Sequence, residues 1–436
     1  MSAHAAVHGH DHGSSHGGHH HADLSHHPLL ADSNVRLNGS GNGLSMLFLV
    51  MGVAGVAATV GAAFTAAGKM HAMASFQLAA MGALAICLGG MFFTLVMHLT
   101  AAGWSVTLRR IMEHLAMLAP VMLILAAIVP VTDLLVTKGL LYTWMNPSYE
   151  TNYLLGKKAG FLNPGFFLIR LGVYFLAWTV IAYRLNSLSI SQDRTGDKWL
   201  TNKARFTSAW GMLVFALTTA FASFDLLMSM DFRFFSTMWG VYYFAGAAFS
   251  SAATIALVAA SLLRAGKLQG LVTGEHFHDV GKLMFSFTVF WSYIAFSQYF
   301  LIWYSNIPEE TIWFTVRKSD GWENVFYLLC FGHFIAPFLV LVFRDVKRSP
   351  NALILVGLWM LFIHFVDMFF IIRPMVTTRP GNEALTPFTN IWVDVAAVLG
   401  LLGVLGFALV RRLATSALVP IRDPRLPEAM EHKNYV

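Results

Sequence analysis

His364 and Asp367 lie three residues apart in "IHFVDMFF", within an apolar run covering 352–372. On a helix that spacing puts an imidazole and a carboxyl on one face, where they can hydrogen-bond and present two titratable groups to one neighbour. A histidine beside a carboxylate at membrane depth can change protonation near neutral pH, which a proton relay requires. His333, in the run 325–343, belongs at a similar depth.

A second group is "RRIMEH", where Arg109 and Glu113, and Arg110 and His114, are each four apart. Glu113 thus carries a built-in cation, and His98 closes the preceding apolar run at the same depth. A third group lies towards the other ends of the runs: Asp133, Arg170, Asp225 and Asp394, with Asp231 and Arg233 just beyond Asp225. Asp225 and Asp133 fit the exit of a hydrated path. Asp225 equally fits a lock on Arg170 or Arg233, and Asp133 and Asp394 fit helix caps. His364 and Asp367 are expected at the centre of a proton path with His333, His114 and Glu113 at one mouth beside His98, and Arg170, Asp231 and Arg233 in support.

The elements that hold these groups follow from composition. Of 436 residues 56% are hydrophobic and 12% charged, against roughly 25% charged in an ordinary soluble domain. Ten apolar runs, 44–66, 75–101, 111–132, 165–183, 206–228, 239–263, 283–304, 325–343, 352–372 and 391–410, each suffice to cross about 30 Å of hydrocarbon as a helix. The expected class is an all-α integral membrane protein, the fourth and eighth runs being the shortest. Pro120 and Pro337 should kink their helices and free backbone carbonyls.

With ten spans both termini share a side. Nineteen lysines and arginines fall on that side and nine on the other, with Arg170 inside a run, which predicts cytoplasmic termini. The excess is a topology signal and not a nucleic-acid footprint. Cys87 and Cys330 both sit in apolar runs, too few thiolates for an iron–sulfur cluster, and no C-x-x-C-H, Walker A or dinucleotide fingerprint occurs. The division expected is a His-rich disordered tail over 1–43, a transmembrane domain over 44–412 and a tail over 413–436. Ten histidines fall in the first tail, where His19, His20 and His21 suit loose metal binding.

"SFDLLMSMDFRFFSTMWGVYYFAG" and "FWSYIAFSQYFLIWYSNIPEETIWF" resemble the F subunit of alternative complex III, a bacterial quinol-oxidising respiratory assembly, and the resemblance extends over all ten runs. It implies two four-helix bundles, helices 2–5 over about 75–228 and helices 6–9 over about 239–372, flanked by helices 1 and 10. It also implies a subunit of a quinol:electron-acceptor oxidoreductase with no cofactor of its own. Iron–sulfur clusters and c haems would lie on partner subunits, and quinol would be within reach. The implied partners are membrane lipid, a sister membrane protein of the same assembly, the iron–sulfur and cytochrome c subunits and a terminal oxidase. Other readings of the same residues are a b-haem protein using His98 with His114 and His333 with His364, a secondary transporter, and a purely structural anchor.

Overall fold

The computed structural model of the chain describes residues 27–377 and 385–434; the expected metal-binding histidines His19, His20 and His21 lie outside them. Among the described residues there is no strand. Ten helices are long and apolar enough to cross a membrane: α1 Asn42–Ala62, α2 Gly68–Leu99, α3 Gly103–Thr137, α4 Pro164–Thr195, α5 Trp199–Met230, α6 Trp239–Arg264, α7 Gly274–Ser305, α8 Trp322–Leu341, α9 Pro350–Thr377 and α10 Ile391–Leu413.

Helices α2, α3, α4 and α5 pack in a ring, and α6, α7, α8 and α9 form a second. The rings meet where α6 lies against α2 and α5, and where α9 reaches α2. Helix α1 pairs with α10, which rests on α2 and α3, so the two flanking helices sit together. Small residues allow this: a Cβ on Gly55 would come within 2.5 Å of the Gly400 backbone, and one on Gly403 within 2.3 Å of Gly52, a close crossing of the kind that associates helices in lipid. The central helix is α2, buried around its circumference because Ala and Gly dominate its sequence.

The fourth helix differs from expectation in length, while the eighth is short as expected but departs from a simple proline kink. Helix α4 is among the longest, starting where Asn163 accepts from the Phe166 N–H at 2.9 Å and ending at Gly196, φ +70°. Arg170 leaves it intact because its side chain turns into the protein. Helix α8 is the shortest and widens into a π-helical turn over Cys330–Ile335 that carries His333. Pro337 has no N–H to close that turn, and the Gly332 carbonyl accepts instead from Trp359 Nε1 at 2.8 Å.

The described parts of the two terminal segments pack against the bundle. Val35 is buried, and its carbonyl accepts from the Leu418 N–H at 2.7 Å. Residues 414–434 fold back over the end of the bundle, where Arg422 donates to the Arg194 carbonyl at 2.8 Å and Ser416 meets His114 at 3.2 Å.

Candidate functional site

The site residues expected from the sequence fall into three groups. At mid-span Asp367 is fully buried. Tyr242 donates its hydroxyl to Oδ1, and Trp291 donates Nε1–H to Oδ2 at 3.2 Å. No cation among the described residues lies within ion-pair distance of it. Asp133 is a second fully buried carboxyl without a cation, and it is saturated by the N–H groups of Leu140, Leu141 and Tyr142 at 2.6–2.9 Å with the Thr137 hydroxyl. Asp367 has only its two aromatic donors, in a setting where an unpaired charge is costly.

The hydrogen bond expected between His364 and Asp367 is not made. His364 faces the other way, its Nε2 3.3 Å from the Gly82 carbonyl, which α2 brings close because Gly82 lacks a Cβ that would strike Phe365. His364 Nδ1 has no partner. His333 is stacked between Trp291, ring centroids 3.5 Å apart, and Phe249, 4.1 Å, with neither nitrogen partnered. Trp291 therefore touches His333 with its face and Asp367 with its edge.

The second cluster lies at the end of the bundle shared by the termini. Glu113 is 1% exposed, with its oxygens 3.5 Å from Nε of Arg109 and of Arg110. The arginines direct their better contacts elsewhere: Arg110 donates to Asp193 at 2.6 Å and Arg109 donates to Asp423. Apart from those 3.5 Å ion-pair contacts, both Glu113 oxygens, Arg110 Nε and Nη1, His98 Nε2 and His114 Nδ1 are buried without a hydrogen-bond partner in the protein. So many orphaned atoms of both signs in one place call for ordered water. Burial raises the Asp423 carboxyl, but the Arg109 charge and the Arg425 N–H at 2.9 Å outweigh it and hold it below the usual carboxylate range.

The third cluster, at the opposite end, divides into separate locks. Arg170 grips Asp225 with Nε at 2.8 Å and Nη2 at 2.6 Å, Tyr174 donates to Asp225 at 2.6 Å, and the guanidinium lies 3.8 Å from the Phe161 ring. Asp225 thus has the partner that the lock reading assigned to it, and both it and Asp133 are occupied by structural bonds. Asp394 accepts from Ser75 at 2.7 Å and sits 3.4 Å from both His71 and Arg373. Asp231 pairs with Arg233 at 2.9 and 3.0 Å on the surface.

Arg317 was missed as a site residue. It is 2% exposed, with no carboxylate of the described residues in ion-pair range. It donates to the carbonyls of Phe370, Trp313 and Ile371 at 2.7–2.9 Å and stacks 3.5 Å from the Trp313 ring. Burial pushes it down to about 9, against the pull of Asp231 and Tyr242, so it remains a cation at neutral pH. Sequence reading also passed over Tyr242, Trp291 and Asp423, and left His71 outside the second run because α2 starts seven residues earlier than expected.

A cavity of about 410 Å³ opens between α7 and α8 beside Asp367, walled by aromatic rings, with Tyr242, Trp291 and Gln298 among its lining. A smaller void of about 10 Å³ lies between Asp231 and Arg317. Trp239 and Trp313 border both. No three His, Cys, Asp or Glu side chains converge as a metal site among the described residues. Comparison with protein-family models finds no match, and comparison with curated proteins finds none either. The chain is, on its fold, an all-α protein of membrane-spanning helices.

Proposed function

We propose that this chain is a proton-handling membrane subunit of a bacterial quinol:electron-acceptor oxidoreductase of the alternative complex III kind, set in the inner membrane with both termini cytoplasmic. The respiratory assignment is supported by the sequence resemblance over the ten spans, and the orientation by the excess of basic residues on the side of the termini. The proton-handling role is carried by one observation: Asp367 is a fully buried mid-span carboxyl that meets two neutral donors and no cation of the described residues. A carboxyl placed so can exchange a proton without breaking an ion pair, which Asp225 cannot do. The Glu113 cluster, with its water-ready orphaned atoms, is the inlet from the cytoplasm, and His364 and His333 stand beside Asp367 as further acceptors. The iron–sulfur and haem centres lie on partner subunits in this reading.

The test is Asp367→Asn in the assembly isolated through a tag on this chain and reconstituted in vesicles. Proton release per electron should drop while the altered chain remains assembled. Unchanged stoichiometry would leave the chain as an anchor.

The cavity favours a second reading, direct contact with quinol. A ring from the bilayer can enter between α7 and α8 and lie against aromatic walls, with Tyr242 and Trp291 linking it to Asp367. Protection of Trp291 fluorescence from an aqueous quencher by a short-chain quinol, lost in Gln298→Leu, tests this reading.

A further inference from the structure

The two carboxyls that sequence placed at the exit are tied into other work, so the mid-span cluster needs a different way out. The small void between Asp231 and Arg317 lies on the correct side. Its volume of about 10 Å³ approaches what one water needs, roughly 10–15 Å³ of probe-occupied space. Trp239 borders it, is 2% exposed, and has an indole N–H with no partner. A buried donor is rarely left in that state without a water. The same indole stacks on Tyr242, centroids 5.5 Å apart and planes 11° apart, and borders the larger cavity that Tyr242 lines.

We propose that this void holds a water that, together with water in the larger cavity across Trp239 and Trp313, joins Tyr242 to Asp231, forming the outlet by which a proton from Asp367 reaches the face opposite the termini, with Arg317 as the positioning residue that orients the void water. The inference rests on the proton-handling reading of Asp367. In the step itself the Tyr242 hydroxyl, which at rest donates to Asp367, first turns to donate to cavity water; the proton of a protonated Asp367 then passes to the Tyr242 oxygen as the phenolic proton leaves to that water. The phenol is restored, one proton has moved outward, and only O–H bonds have been exchanged. Water beside Trp239 passes the proton to the Asp231 carboxylate, which sheds it to the aqueous phase.

The surrounding charges suit these roles. Tyr242 is faced by Asp367 and Arg317, and Asp231 by Arg317, Arg233 and Lys158. The Arg233 pair is on the surface, where such pairs are worth about 0–1 kcal/mol, so it can open at each turnover. Arg317 is different. Three carbonyls and the Trp313 ring fix its charge beside the void, where it faces the Asp231 carboxylate and orients the oxygen of a water between them.

The experiment compares Asp367→Asn, Asp231→Asn, Arg317→Gln and Arg317→Lys in the reconstituted assembly, with proton release and electron transfer followed together. Asp231→Asn should slow proton release about tenfold or more, the lower range of what a positioned acid–base group supplies. In Arg317→Gln proton release should slow by a similar factor, because the void loses the cation that three carbonyls and the Trp313 ring hold beside it; Arg317→Lys should restore much of the rate. If Asp367→Asn stops proton release while Asp231→Asn and Arg317→Gln leave its rate untouched, the outlet is overturned and the parent reading stands. If Asp367→Asn itself changes nothing, the parent reading falls and the outlet with it.

Discussion

Arg170 reaches across from α4 to hold both oxygens of Asp225 on α5, at 2.8 and 2.6 Å, with the carboxylate fully buried. Removing one member leaves an uncompensated charge in the interior. Asp225→Ala should therefore destabilise the protein by about 3–5 kcal/mol, and Arg170→Leu combined with Asp225→Leu by much less. Thermal unfolding in detergent checks both. Where the double variant assembles, proton release should be preserved, since this pair is a brace between α4 and α5.

Much of the fold was legible because hydrocarbon thickness imposes its own length on the sequence. Runs of about 20 apolar residues announce helices regardless of what they pack against. The residues His333, Asp367, Glu113 and the pair Arg109 and Arg110 were legible too, because a charge inside such a run needs a reason. Their partners were not. Asp367 is held by Tyr242, 125 positions away, and Arg109 by Asp423, 314 away, and helical periodicity carries no information about contacts between helices. His364 shows the limit of spacing rules: sharing a face with Asp367 placed it near, but the Gly82 carbonyl captured its ring. Arg317 was counted only as a loop charge, since nothing local says that the short helix Pro308–Val316 delivers it beneath the end of α9.

The returning segment 414–434 should respond to acid through Asp423. Its carboxyl is held below the ordinary 3.8 by Arg109 and the Arg425 N–H against the effect of burial. The folded state therefore binds that proton less readily than the unfolded one. Its stabilisation is complete above 3.8 and is lost as the pH falls through the lowered native value. Limited proteolysis of the C-terminal segment should accelerate only in that acidic window. Asp423→Asn should cleave faster at neutral pH and show little further change on acidification.

His333 separates packing from proton chemistry. Its ring fills the gap between Trp291 and Phe249, and both nitrogens are unsatisfied in the protein. His333→Phe keeps the aromatic sandwich and removes two buried polar atoms, a change that is often neutral or stabilising. The melting temperature should hold or rise. Proton release should fall if a water on those nitrogens serves the relay, and the two measurements on one variant distinguish a spacer from a participant.

Tyr242→Phe is the most discriminating single change. The substitution retains the ring that stacks on Trp239 and removes one oxygen. Asp367 then keeps only the Trp291 N–H, at 3.2 Å. Loss of one hydrogen bond to a carboxyl is worth about 1.5–3 kcal/mol if it is ionised and about 1 kcal/mol if it is neutral. The size of the stability loss at neutral pH thus reports which form Asp367 holds at rest. Function should suffer more than stability: the hydroxyl is the protein group that stands between Asp367 and the cavity water, so proton release should fall about a hundredfold, within the range for loss of a positioned proton carrier. Trp291→Phe, which removes the other donor but leaves the Tyr242 link, should cost comparable stability and far less proton release. Equal loss of proton release in the two variants would mean that Asp367 is only being held, with no direction of transfer through Tyr242.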